Sequence, residues 1–250
     1  MKSIILFVAI IVPSVLLAQI PEHAKKLMKY YPQIVRYDQN RIYFNDGSSM
    51  IYDDHKKKSS QELLDNPDIQ DQFTYEYKRG KQIHTIPKSF DPGRIRNEEM
   101  FKKIYGASES EVRKNVKDIV WCPTLAPQTI LITTVNNVHE HVQRLSNELD
   151  KHPEWKEYIS NIAGTFNWRT IAGTNRLSFH SFGMTIDINI KHSHYWQWDC
   201  KCKNENVNLP YRNAIPQELV DIFEKHGFIW GGKWYHYDTM HFEYRPELIF

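Results

Sequence analysis

Two short stretches near the end of the chain, 178–187 and 238–243, carry side chains that can act only if the fold brings them to one place. The first, Ser178-Phe179-His180-Ser181-Phe182-Gly183-Met184-Thr185-Ile186-Asp187, supplies an imidazole and a carboxylate. The second, Asp238-Thr239-Met240-His241-Phe242-Glu243, supplies another imidazole with carboxylates on either side. Two imidazoles and one carboxylate fill three corners of a zinc tetrahedron and leave the fourth for water. A spare carboxylate beside that water can accept its proton. Taken singly, each stretch is ordinary: a surface His–Asp pair, or a core His with a partner that offsets its desolvation. Together they are the parts of a hydrolase, and they require a fold in which a loop and two strand ends converge.

The rest of the composition sets bounds. A chain of 250 residues is long enough for one large domain or two small ones. Its apolar (41%) and charged (25%) fractions are those of a globular protein, so wholesale disorder is excluded. A net charge of +2 without a long basic stripe argues against a nucleic-acid partner, and Lys56-Lys57-Lys58 reads as a solvated loop. Lys2 followed by an uncharged apolar run from Ile4 to Ala18 reads as a signal peptide over residues 1–18, with Ala18 and Gln19 at the cleavage point. The run is shorter than the roughly 20 residues that span a bilayer, and Pro13 interrupts it. An exported protein in the periplasm or cell envelope is therefore expected, with no stable membrane span after cleavage. Cysteines 122, 200 and 202 fit an oxidising compartment, with one disulfide expected from Cys122 to either of the others.

Local signals give a mixed architecture. Helices are expected near Glu22–Tyr31, from an Asn97 cap to about Tyr105, and after Ser108, where Glu111 completes a capping box. Val138, Val142, Leu145 and Leu149 recur at helical spacing, and a further helix runs from Ile215-Pro216 to near Gly227. Arg41–Phe44 and Ser49–Tyr52 flank Asn45-Asp46-Gly47-Ser48 as a hairpin. Ile130–Val135, Gly164–Arg169, Met184–Ile190 and Met240–Tyr244 read as strands, with Asp187 and Asn189 on one face. The class is α+β, an antiparallel sheet with flanking helices. Residues 19–127 are expected as an N-terminal extension packed on a core of 128–250.

Wider wording around the two stretches carries a resemblance. Ser178-x-His180-x-x-Gly183-x-x-x-Asp187, then Gly227-Phe228-x-Trp230-Gly231-Gly232-x-Trp234, then Asp238-x-x-His241-Phe242-Glu243, resembles the zinc D-alanyl-D-alanine carboxypeptidase and L-alanyl-D-glutamate endopeptidase family, peptidase family M15. The likeness covers about 164–250. It implies the zinc-peptidase core that the hedgehog signalling domains share, with peptidoglycan stem peptides as substrate. It implies that His180, Asp187 and His241 bind Zn2+ and that Asp238 is the general base. Gly164-Thr165-Phe166-Asn167-Trp168-Arg169 stands where such enzymes carry an arginine, which makes Arg169 the stabiliser of the developing oxyanion; Arg176 is its rival. This segment departs from the usual Ser-Gly-Tyr-Arg wording. Glu243 is expected to orient a ligand imidazole or bind substrate, and Ser178 is placed with it. A non-catalytic, zinc-containing wall-binding or signalling module on the same scaffold is the alternative, and the retained Asp238 argues against it. His139-Glu140-His141 lacks the His-Glu-x-x-His spacing and reads as a solvated helix face. Carboxypeptidase and endopeptidase action, and the oligomeric state, stay open at this level.

Overall fold

Helical spacing and a hairpin open the chain much as the residues dictate. The computed structural model describes residues 19–81 and 84–250; the expected signal segment, 1–18, lies outside the described residues. Helix α1 (Glu22–Tyr30) buries Ala24 and Leu27. Strands β1 (Ile34–Asp38), β2 (Arg41–Phe44) and β3 (Ser49–Ile51) follow as an antiparallel meander in that order. The β2–β3 turn closes on Asp46, whose carboxylate accepts from the Ser48 backbone N–H at 2.9 Å. Strand β1 gives no alternating signal because it lies at the sheet edge and buries only Ile34.

Helix α2 (Ser60–Asp65) starts with a complete capping box between Ser59 and Glu62. In the lysine run before it, Lys56 and Lys57 are exposed as expected of a solvated loop, and Lys58 alone departs. Lys58 is buried, with its ammonium 3.1 Å from both Asp54 and Asp68 and 2.5 Å from Asp71. Asp68 and Asp71, from beyond α2, join the nearby Asp54 in drawing that cation inward, which a local reading does not reveal. Helix α3 (Glu98–Tyr105) is capped by Asn97, whose Oδ1 accepts from Met100 N–H at 2.9 Å. Helix α4 (Glu109–Arg113) has half of the expected box: Ser108 Oγ caps Glu111 N–H, but the Glu111 carboxylate accepts from Ala107 N–H instead.

Strands β4 (Val116–Trp121) and β5 (Gln128–Thr133) form an antiparallel hairpin, which carries the chain across residues 127 and 128. Helix α5 (Val138–Leu149) packs on it through Val138, Val142, Leu145 and Leu149. After the short α6 (Lys156–Ile159) come β6 (Thr185–Asp187), α7 (Trp196–Cys200), α8 (Gln217–Lys225), β7 (Phe228–Trp230), β8 (His241–Tyr244) and α9 (Pro246–Ile249). The last sheet has the order β6-β8-β7, antiparallel throughout. The architecture is α+β, with three small antiparallel sheets among the described residues in place of one larger sheet.

Two expected strands differ. Residues 164–169 make no named strand; Gly164 forms an isolated bridge to Asp187. Strand β6 stops at Asp187, and Asn189 turns away to cap a 3-10 turn, accepting from Lys191 N–H and donating to Glu157 C=O. Asp187 and Asn189 therefore do not share a strand face. The disulfide also differs: it joins Cys200 to Cys202 at the end of α7, while Cys122 is a buried thiol. Cys122 directly follows β4 beneath α5, where Ser146 Oγ accepts its backbone N–H at 2.7 Å. No helix of the described residues is long and apolar enough to cross a membrane.

The N-terminal half supplies polar partners to buried groups of the C-terminal half. Tyr77 donates its hydroxyl to Glu224 at 2.6 Å and accepts the Trp230 backbone N–H at 2.8 Å. Glu224, fully buried, is also paired with Lys233. Replacing Tyr77 by Phe strands the Trp230 N–H and removes a donor from Glu224. The expected loss of stability is about 1–3 kcal/mol for the orphaned group, read from denaturant unfolding; an unchanged midpoint contradicts this role for Tyr77.

Candidate metal centre

Backbone register builds the site. In the β6–β8 ladder Asp187 lies opposite His241, so the two side chains meet across the strands. His180 arrives from a 3-10 turn, Phe179–Phe182, which ends at Gly183 in the left-handed region (φ 66°). A Cβ at Gly183 would lie 3.2 Å from the Thr133 backbone nitrogen, so the turn favours glycine on both counts. The turn folds the His180 ring back to meet Asp187 at the end of β6. The outcome is a group in which His180, Asp187 and His241 each offer one ligand atom, all within 4.8 Å of one another; such a group could hold a metal ion.

The hydrogen bonds around the group fix which atoms face inward. His180 Nδ1 lies 2.7 Å from the Thr165 carbonyl, which only accepts, so this nitrogen carries the proton and Nε2 faces Asp187 at 3.0 Å. His241 Nε2 lies 3.2 Å from Glu243, and its Nδ1 lies 2.9 Å from Asp187. Glu243 is itself saturated by arginine: Oε1 accepts from Arg96 Nε at 3.3 Å and Arg245 at 2.9 Å, and Oε2 accepts from Arg96 as well as the His241 ring. In neutral rings, both inward imidazole nitrogens are lone pairs aimed at a carboxylate that also offers only lone pairs. A cation among them, or a proton in its place, reconciles the three. The donor set of two imidazoles and a carboxylate suits zinc.

Titration follows this geometry. Burial opposes the charge on Asp187, but the His180 charge and the hydrogen bonds from both imidazoles hold its carboxyl far below the usual range. Burial likewise opposes charge on His241, yet its bonds to Asp187 and Glu243 raise it to about 9. Burial pushes Glu243 up, and Arg96, the His241 hydrogen bond and Arg245 more than reverse this, leaving it well below an ordinary glutamate.

Asp238 stands apart from those three in chemistry. It lies in the loop before β8, bracing that loop through its backbone: its N–H donates to Gly231 C=O at 3.0 Å, and its C=O accepts from His241 N–H at 3.2 Å. Gly231 permits the approach, since a Cβ there would lie 2.5 Å from the Asp238 carbonyl oxygen. The side chain lines the same cleft of about 320 Å³ as the three candidate ligands. Its Oδ1 is buried with no hydrogen-bond partner among the described residues. Burial, then the charge of Asp187, raises it to about 6. A carboxyl so poised can exchange a proton near neutral pH.

Arg169 and Ser178 line the cleft too. Arg169 is exposed at the rim; its backbone N–H donates to Ser181 Oγ at 3.0 Å and its carbonyl accepts from Ser178 N–H at 2.9 Å, which ties the rim to the His180 turn. Arg176, half-buried, lines a neighbouring cavity instead, 3.7 Å from Asp65 and 3.8 Å from Glu205. Trp196 is buried and Trp198 is exposed on the cleft wall. Other histidines have separate partners: His192 faces Glu157, His194 faces Asp199, and His226 at the end of α8 lies 2.9 Å from Glu148. The ring of His141 packs near Tyr244. Sequence reasoning missed Arg96 and Arg245. Neither sits in a recognisable motif, and each reaches Glu243 only through tertiary folding.

With this geometry in place, the family comparison is specific about which part of the chain it concerns. Neither the curated proteins nor the solved structures gave a match to this chain. Residues 172–244, the segment that holds Ser178, His180, Asp187, Asp238, His241 and Glu243 but not Arg96 or Arg169, match the M15 peptidase family model described as D-alanyl-D-alanine carboxypeptidase.

Proposed function

We propose that this chain is an exported zinc metallopeptidase that hydrolyses peptide bonds in peptidoglycan stem peptides, on a zinc-peptidase core of the kind shared with the hedgehog domains. The observation that carries the reading is the unpartnered Asp238 Oδ1, buried in the same cleft as the His180–Asp187–His241 group. A metal group alone is compatible with a structural or signalling role. A carboxyl oxygen buried beside it and left free of protein partners is available to a water held in that group, which suits it to proton exchange. Residues 19–127 are read as a scaffold packed on the peptidase part, and 1–18 as the export signal.

His180 Nε2, His241 Nδ1 and the Asp187 carboxylate would hold the zinc, with Thr165 C=O and Glu243 fixing the two rings. Zinc held there supplies a water acidic near neutral pH and a Lewis acid for the scissile carbonyl, as it does in sites with one open position. Asp238 takes a proton from the attacking water and returns it to the leaving amine. Arg169 faces the cleft from the rim and balances negative charge on the substrate as the carbonyl is attacked. Ser178 and Trp198 lie on the wall that a peptide would touch.

Three outcomes test this reading. Asp238→Ala is expected to lower kcat by about 10²–10⁴-fold while zinc stays bound, read by mass spectrometry of peptidoglycan fragments beside metal analysis. New termini formed equally well by the variant contradict the assignment. Arg169→Ala is expected to lower kcat by no more than about 10²-fold, the low end for an oxyanion donor, because solvent screens an exposed guanidinium; an unchanged kcat removes it from the mechanism. For pH, the sign follows from His241. Its metal-free form is protonated below about 9, whereas a ligand ring must be neutral, so zinc binding expels that proton. Zinc affinity is therefore expected to rise roughly tenfold per pH unit up to about pH 9, with proton release seen by calorimetry in buffers of different ionisation enthalpy. Affinity that is flat between pH 6 and pH 8 contradicts this.

A further inference from the structure

The segment just before α3 lies outside the family match, yet it enters the metal centre. Arg96 reaches Glu243 through two nitrogens, Nε to Oε1 at 3.3 Å and a terminal nitrogen to Oε2. Glu243 is completely buried and also accepts from Arg245. Guanidinium N–H groups thus fill three of its four acceptor positions, and the fourth, on Oε2, faces the His241 ring. A carboxylate filled this way has no proton to give, and the ring nitrogen facing it must be the donor. That choice leaves Nδ1 of the neutral His241 ring as the lone pair turned toward Asp187. Arg96 is held in place by aromatic faces, 4.6 Å from the Phe179 ring centre and 5.5 Å from Trp234. Phe179 adjoins His180, and the Trp234 ring lies 5.6 Å from that of His241.

We infer that Arg96 is a positioning residue of the metal centre: through Glu243 it sets the orientation and protonated nitrogen of His241, so the N-terminal half tunes metal affinity. Arg245 cannot substitute for it, because Arg245 contacts only Oε1 of Glu243 and divides its donors with Glu247. Arg96 alone spans both oxygens, including the one that faces the imidazole. The two aromatic contacts let one side chain brace the Glu243–His241 pair and the wall beside His180 together.

This inference rests on the zinc reading above, and the test separates the two. Zinc affinity is measured on the full chain by competition with a chromophoric chelator, with circular dichroism to certify the fold. Arg96→Gln keeps a donor but loses the charge and the two-point contact. It is expected to weaken zinc binding by about tenfold to a hundredfold, the usual effect of removing a group that orients a ligand. Arg96→Lys retains the cation between Phe179 and Trp234 and is expected to restore affinity partly, remaining more than twofold weaker than the parent chain. Should Arg96→Gln fail to fold, Arg96→Lys decides by the same twofold margin. A folded deciding variant whose zinc affinity lies within twofold of the parent overturns the role given to Arg96. A parent chain that binds no zinc overturns the proposed function itself.

Discussion

The Asp187 carboxylate lies between two imidazole nitrogens, 3.0 Å from His180 Nε2 and 2.9 Å from His241 Nδ1. Like-signed lone pairs converging on one buried point repel, and only positive charge placed among them reverses the sign. Much of the local backbone serves this convergence. The β6–β8 register sets Asp187 against His241, and the left-handed Gly183 folds His180 back to meet them. The outer nitrogen of each ring is tied to Thr165 or Glu243, so neither ring can turn away without breaking a hydrogen bond.

A second buried network links that point to the start of the described chain. Tyr31, just past α1, donates to Glu247 at 2.6 Å; Glu247 pairs with Arg245; Arg245 pairs with Glu243; and Glu243 accepts from His241. Arg96 enters the same carboxylate from the segment before α3. Buried charges of this kind hold only when every member is paired, since removing one partner typically costs about 3–5 kcal/mol. The N-terminal half is therefore electrically part of the site, although the family match begins at residue 172.

Legibility in the sequence followed the range of the interaction. Helices α3, α5 and α8 were readable because caps and apolar spacing act over a few residues, as Asn97 and the Val138–Leu149 stripe illustrate. The three candidate ligands were readable because their motifs occur in order with fixed local spacing. Lys58 was not, because its carboxylate partners include Asp68 and Asp71 from beyond α2. The Cys200–Cys202 bridge was missed because both expected pairings used Cys122, which instead lies as a buried thiol beneath α5. Strands β1 and β7 are too short or too uniformly buried or exposed to show a period of two, whereas the alternation that marks β6 continues in the sequence past Asp187, where the strand itself stops. Arg96 and Arg245 carry no motif at all, and their meaning exists only once Glu243 is buried between them.

X-ray absorption at the zinc edge, on the zinc-loaded chain, tests the central claim most directly. The account predicts a first shell of nitrogen and oxygen only, at about 2.0–2.2 Å, with the scattering of two imidazoles; replacing either His180 or His241 should remove one ring from the spectrum. A shell containing sulfur at about 2.3 Å, or one whose imidazole count survives both replacements, would contradict it.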